Sequence, residues 1–151
     1  MAYTLSRSEE RRAGSGNDYV LSTFDQTHIL TVVASYRFDF GLELGARFRY
    51  VTGRPTTPLE HSYDQFQADS NGYATQRGLA NSARIRDFNQ LDLRVDKYFV
   101  FDKWTLDVYL DVQNVYNMRN AEAFFTDYRR RKEYEVPGLP ILPVLGVKAS
   151  F

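Results

Sequence analysis

The segment Thr105 to Asn117, TLDVYLDVQNVYN, puts Leu106, Val108, Leu110 and Val112 on every second position, with Asp107, Tyr109, Asp111 and Gln113 between them. Side chains alternate faces along a strand, so one face is apolar and the other carries two carboxylates. The same period recurs elsewhere. Leu91, Leu93 and Val95 alternate with Gln90, Asp92, Arg94 and Asp96. Between Gly41 and Thr52, the residues Leu42, Leu44, Ala46, Phe48 and Tyr50 alternate with Glu43, Gly45, Arg47 and Arg49. Thr27 to Phe38 alternates more softly, through Leu30, Val32, Ala34, Tyr36 and Phe38. The final stretch sets Val147, Ala149 and Phe151 against Gly146, Lys148 and Ser150, and residues 2–8 form a weaker sixth segment. None of these fits a helical period over a comparable length, so the expectation is an all-β chain of about six strands.

The connections are unequal. Asp39-Phe40 and Asp102-Lys103 read as tight turns, whereas the links 9–26, 53–87 and 118–137 are long. Links beyond about 12–15 residues are uncommon in compact domains and usually functional. In an antiparallel meander the short turns share one end and the long links the other. That is the arrangement of outer-membrane barrels, whose long loops lie outside the cell.

Two surroundings suit such strands. In a soluble sandwich or barrel the apolar face points inward. In a membrane barrel it faces lipid, and the charges face a wet lumen. Strand length favours lipid: Trp104 to Tyr116 is about 12 steps of about 3.3 Å, which at a tilt of about 40° spans roughly 30 Å of bilayer. Aromatic placement points the same way. The chain has 11 Tyr and 11 Phe, yet a mean hydropathy of −0.47. Tyr36, Phe38, Phe99, Phe101 and Phe151 gather at the short-turn end, and Trp104 and Tyr116 bracket one strand, as interfacial aromatic belts would. On the charged face Glu43, Asp92, Asp96, Asp107 and Asp111 meet Arg37, Arg47, Arg49, Arg94 and Lys148, so a lumen could pair its charges. The expected architecture is therefore a set of antiparallel up-and-down transmembrane β-barrel strands, a partial barrel.

Five stretches then carry a resemblance: FDQTH (24–28), GARFRYVTGRPTTP (45–58), FNQLDLRVDKYF (88–99), LDVYLDVQNVYN (106–117) and GLPILPVLGVKASF (138–151). Together they resemble the C-terminal barrel strands of TonB-dependent outer-membrane receptors, over nearly the whole chain and in the family's order. The resemblance implies that residues 1–151 are the C-terminal segment of a gated bacterial outer-membrane importer of scarce nutrients, of the siderophore, cobalamin or glycan class. It further implies a plug domain and TonB box outside this segment, and no transport by the segment alone. The implied partners are outer-membrane lipid and lipopolysaccharide, the barrel-assembly machinery, the TonB system through those missing N-terminal parts, and a small-molecule nutrient. The family's terminal assembly signal maps to Gly146, Ala149 and Phe151, with Val144 where the pattern has a polar residue. Other readings of the residues are a passive porin-like or structural outer-membrane barrel and a soluble ligand-binding β-barrel.

Other function classes find little support. The 19 basic and 19 acidic residues cancel, so no global field points to nucleic acid. Cysteine is absent, which excludes disulfides and thiolate metal sites. No apolar run reaches the length of a transmembrane helix, and residues 1–12 have no apolar core of a secretory signal. His28 and His61, the only histidines, have no second ligand at metal spacing, so neither a catalytic centre, a metal site nor a cofactor is expected. Asp107 and Asp111 stand about 13 Å apart by strand rise, too far for a carboxylate dyad. They read as lumen charges, paired with Arg94 or Arg49 on neighbouring strands. Candidate ligand contacts are Tyr63, Phe66 and Tyr73 in the longest link, and the cationic run Arg129, Arg130 and Arg131 near the last hairpin tip. Gly138, Pro140 and Pro143 should weaken pairing until Val144.

Overall fold

The computed structural model describes residues 1–11, 19–69, 72–127 and 132–151. Its elements are β1 (Ala2–Leu5), β2 (Glu9–Arg11), β3 (Tyr19–Leu21), β4 (His28–Arg37), β5 (Leu42–Val51), β6 (Pro55–Thr56), β7 (Leu59–Gln67), β8 (Gly72–Arg77), β9 (Ala83–Arg84), β10 (Phe88–Val100), β11 (Thr105–Gln113), β12 (Ala121–Asp127), β13 (Lys132–Pro137) and β14 (Leu142–Ser150). Six of them form one antiparallel sheet in the order β1-β4-β5-β10-β11-β14. The sheet is a meander, each strand beside its predecessor in the sheet, and β1 and β14 stand at its edges. The fold is all-β, with a six-stranded sheet as the alternation required.

The two short turns lie at one end. Phe38 N–H donates to Leu42 O at 2.8 Å, and Gly41 N–H to Phe38 O at 3.1 Å, closing the β4–β5 turn. Gly41 adopts φ +77, and a Cβ there would lie 2.8 Å from the Tyr98 carbonyl oxygen, so only glycine fits. The β10–β11 turn closes through Phe101 N–H to Trp104 O at 2.9 Å. The long links are not structureless. They contain the antiparallel pairs β2–β3, β6–β9, β7–β8 and β12–β13.

Two boundaries differ from the sequence reading. β11 ends at Gln113 rather than running on to Asn117, because Asn114 takes φ +53 and turns the chain. Conversely β14 begins at Leu142, earlier than expected, with Pro143 in register opposite Val112. An edge strand tolerates a proline that offers no donor, and β14 is such an edge.

The sheet buries the opposite of what a soluble domain buries. Among the described residues Pro55 is the one buried apolar side chain, while Ser22, Asp25, Asn81, Asp92, Asp96, Asn114 and Asn120 are buried. Leu110 is 42% exposed and Leu145 73%, and the two face each other across β11 and β14. Cohesion therefore comes from the backbone ladders and from side chains on the charged face, since the apolar face has no second layer against it.

Candidate functional site: the charged face and the two rims

Register places Glu43, Arg47, Arg49, Asp92, Arg94, Asp96, Asp107, Asp111 and Lys148 on a single face, joined by Arg37. Of these, Glu43, Arg47, Asp92, Arg94, Asp96 and Asp111 line a shallow depression of about 410 Å³. Its hub is Asp92, 6% exposed. Arg47 donates to Asp92 Oδ2 from Nε at 3.0 Å and from Nη2 at 2.7 Å. On the other oxygen, Gln90 Nε2 donates at 2.6 Å and the Asn114 backbone N–H at 3.0 Å. Arg49 completes the group, donating to Gln90 Oε1 at 3.1 Å with its guanidinium 3.9 Å from Asp92 Oδ2. A buried carboxylate is tolerated only when it is paired and hydrogen-bonded in this way.

A second group crosses three strands. Arg94 donates to Asp96 on its own strand, with Nη2 at 2.6 Å from Oδ1, rather than to Asp111 opposite it in register. The Arg94 guanidinium carbon lies 4.1 Å from the centroid of the Tyr109 ring. That ring extends over Gly146 on β14, where a Cβ would come within 2.2 Å of it. Arg94, Tyr109 and Gly146 thus stack sideways across β10, β11 and β14. Nearer the short turns, Arg37 pairs with Glu43 across β4 and β5 at 2.5 Å. Asp107 stands opposite Tyr98 on one side and Lys148 on the other, and its buried Oδ1 has no hydrogen-bond partner.

The rim at the long links is built from polar side chains bonding backbone. Asp25, 1% exposed, accepts from Ser8 N–H at 2.7 Å, Thr27 Oγ1 at 3.0 Å and Arg84 Nη2 at 2.6 Å. Arg84 also donates to Gly53 O at 2.8 Å, and Gly53 N–H donates to Asp87 Oδ1 at 2.9 Å. A Cβ on Gly53 would meet the Ile85 carbonyl oxygen at 1.8 Å, which accounts for the glycine of the TGRP stretch. The Arg84 hydrogen bond holds the Asp25 carboxyl below the usual aspartate value, against the upward push of burial. Asp87 is likewise held low, first by the Tyr50 hydroxyl donating at 2.6 Å and then by Gly53 N–H.

Three asparagines at spacing three build the rest of that rim. Asn114, 2% exposed, donates from Nδ2 to Met118 O and Leu139 O, both at 3.0 Å, and accepts from Met118 N–H at 2.9 Å. Asn117 accepts from Ile141 N–H at 3.0 Å, and Asn120 exchanges bonds with the Asn89 backbone at 3.0 Å. Tyr116 lies beyond β11 on this rim, its hydroxyl donating to Asn89 Oδ1 at 3.0 Å.

The opposite rim is aromatic. Tyr36, Phe99 and Ala149 fall on the apolar face near the short turns, and Phe38, Phe40, Phe101, Trp104 and Phe151 lie in those turns or just beyond the strand ends. Ring centroids are 4.7 Å apart for Tyr36–Phe38, 5.3 Å for Phe38–Phe40, 4.4 Å for Phe101–Trp104 and 6.1 Å for Trp104–Phe151. Of the candidate ligand contacts, Tyr63 and Phe66 fall on β7 and Tyr73 on β8, with Phe66 opposite Tyr73 in register. Their side chains lie outside what the structure describes, and Arg129, Arg130 and Arg131 lie outside the described residues.

Sequence reasoning missed Tyr109, the Asp25–Arg84 pair and the asparagine ladder. Only the last left a readable signal, the N-x-x-N-x-x-N spacing after β11. Comparison with known protein families, with characterised proteins and with solved structures found no match for this chain.

Proposed function

We propose that this chain is barrel wall from a TonB-dependent outer-membrane receptor, an importer of a scarce nutrient such as a siderophore, cobalamin or glycan, and not an enzyme. The apolar face touches lipid in this reading, and the charged face lines the lumen, where a plug and a passing nutrient would meet it. The edges β1 and β14 would pair with further strands, or with other copies of this chain when it is reconstituted by itself, because lipid does not tolerate an open sheet edge. The assembly signal at Gly146, Ala149 and Phe151 and contact of the long links with lipopolysaccharide or substrate belong to the same proposal.

The observation that carries it is the inverted burial: paired carboxylates are covered, and no apolar side chain of the six-stranded sheet is. A soluble ligand-binding barrel would need those apolar side chains in an enclosed core. The choice of a receptor over a passive porin rests on the sequence resemblance.

Leu110→Arg and Gln113→Arg test the facing. The chain is added to lipid vesicles, and the protease-protected fraction is measured. Leu110→Arg should lower insertion by the equivalent of about 2–4 kcal/mol if residue 110 sits near the midplane, and Gln113→Arg should stay near wild type. Equal effects would remove the basis for the membrane reading.

A further inference from the structure

On the apolar face of the six strands, only one residue is a lysine, arginine, aspartate or glutamate. Lys97 stands between Leu42 on β5 and Val108 on β11, and no other Lys, Arg, Asp or Glu shares that face. Its position is not midspan. The ammonium reaches toward the β4–β5 turn, where Nζ donates to Phe40 O at 2.6 Å. Nζ also lies 5.3 Å from the Phe40 ring centroid and 5.6 Å from that of Phe99. A cation on a lipid-facing surface costs little only near the interface, about 0–1 kcal/mol, and a lysine reaches that level by laying its stem along apolar surface.

An ammonium has three donors, and the Phe40 carbonyl takes one. We propose that Lys97, between Phe40 and Phe99, is a headgroup site for an anionic phospholipid of the leaflet at the short-turn end. The phosphodiester oxygens accept the remaining N–H donors. The acyl chains run down the apolar face over Val95, Leu44 and Leu93, which are exposed. The rings hold the ammonium at a fixed depth, so the site selects headgroup charge at one level of the bilayer. The turn tips do not supply this selectivity, since Asp39 and Asp102 offset Lys103 there. The inference rests on the membrane reading above and specifies what meets that face at its rim.

The test uses the full chain reconstituted in phosphatidylcholine vesicles carrying either spin-labelled phosphatidylglycerol or spin-labelled phosphatidylcholine. The motionally restricted fraction of each lipid is read by electron paramagnetic resonance. Wild type should restrict phosphatidylglycerol about five-fold in preference, the equivalent of about 1 kcal/mol for one surface lysine. Lys97→Met and Lys97→Gln should lose the preference while still restricting lipid, and Lys97→Arg should keep it. The same preference in all four proteins, or none in wild type, would overturn the headgroup site and leave the membrane reading intact. Absence of any restricted lipid would overturn both.

Discussion

At the scale of single residues, the chain uses its carboxylates and amides as a soluble protein uses leucine. Asp92 holds Arg47, Gln90 and the Asn114 backbone together, and Asp25 gathers Ser8, Thr27 and Arg84 where the first long link returns to the sheet. Charge-assisted bonds of this kind depend on pH. The folded Asp25 carboxyl titrates below its ordinary value of 3.8, so its contribution is complete above that value and is lost as pH falls through the folded one. Denaturant titrations of the folded chain in micelles between neutral pH and pH 3 should show that loss. Asp25→Asn should be less stable at neutral pH by about 1–3 kcal/mol, the scale of a buried charged hydrogen bond, with a shallower acid slope. An unchanged slope would mean that the Asp25 carboxyl titrates alike in the folded and unfolded chain, so that Arg84 does not hold it low.

At the scale of elements, β14 is positioned by shape as well as by its ladder. The Tyr109 ring fills the space over Gly146, and Arg94 covers the ring from β10. Slipping β14 by one residue would bring Val147 or Leu145 toward that space and turn every side chain over. Gly146→Val should therefore expel the ring and break its stack with Arg94, destabilising the β11–β14 pairing by about 1–3 kcal/mol. Tyr109→Ala in the same chain should recover part of that loss, because the two changes share one space. Hydrogen exchange of the β14 amides reads both effects, and purely additive losses would show that the stack does not set the pairing. The sequence carried the six strands, their faces and both tight turns, because alternation is local and extends over many residues. It did not carry the Tyr109–Gly146 contact or the Asp25–Arg84 pair. These depend on register between segments far apart in the chain, 37 and 59 residues respectively. The early end of β11 was missed for another reason: Tyr116 falls in phase with Leu106, Val108, Leu110 and Val112 and hides the turn that Asn114 makes.

At the scale of the whole molecule, one apolar face, one charged face, an aromatic rim and a polar rim would give the proposed barrel wall a single orientation relative to a bilayer. The central claim is that the even-numbered side chains of β11 meet acyl chains and the odd-numbered ones meet water. Because the chain contains no cysteine, a nitroxide can be placed singly at each position from 106 to 113 without a competing thiol. Collision rates with oxygen, which partitions into lipid, and with a water-soluble nickel chelate are then measured in vesicles. Oxygen maxima are expected at 106, 108, 110 and 112, and nickel maxima at 107, 109, 111 and 113. Nickel access at the even positions, or no alternation at all, would contradict it.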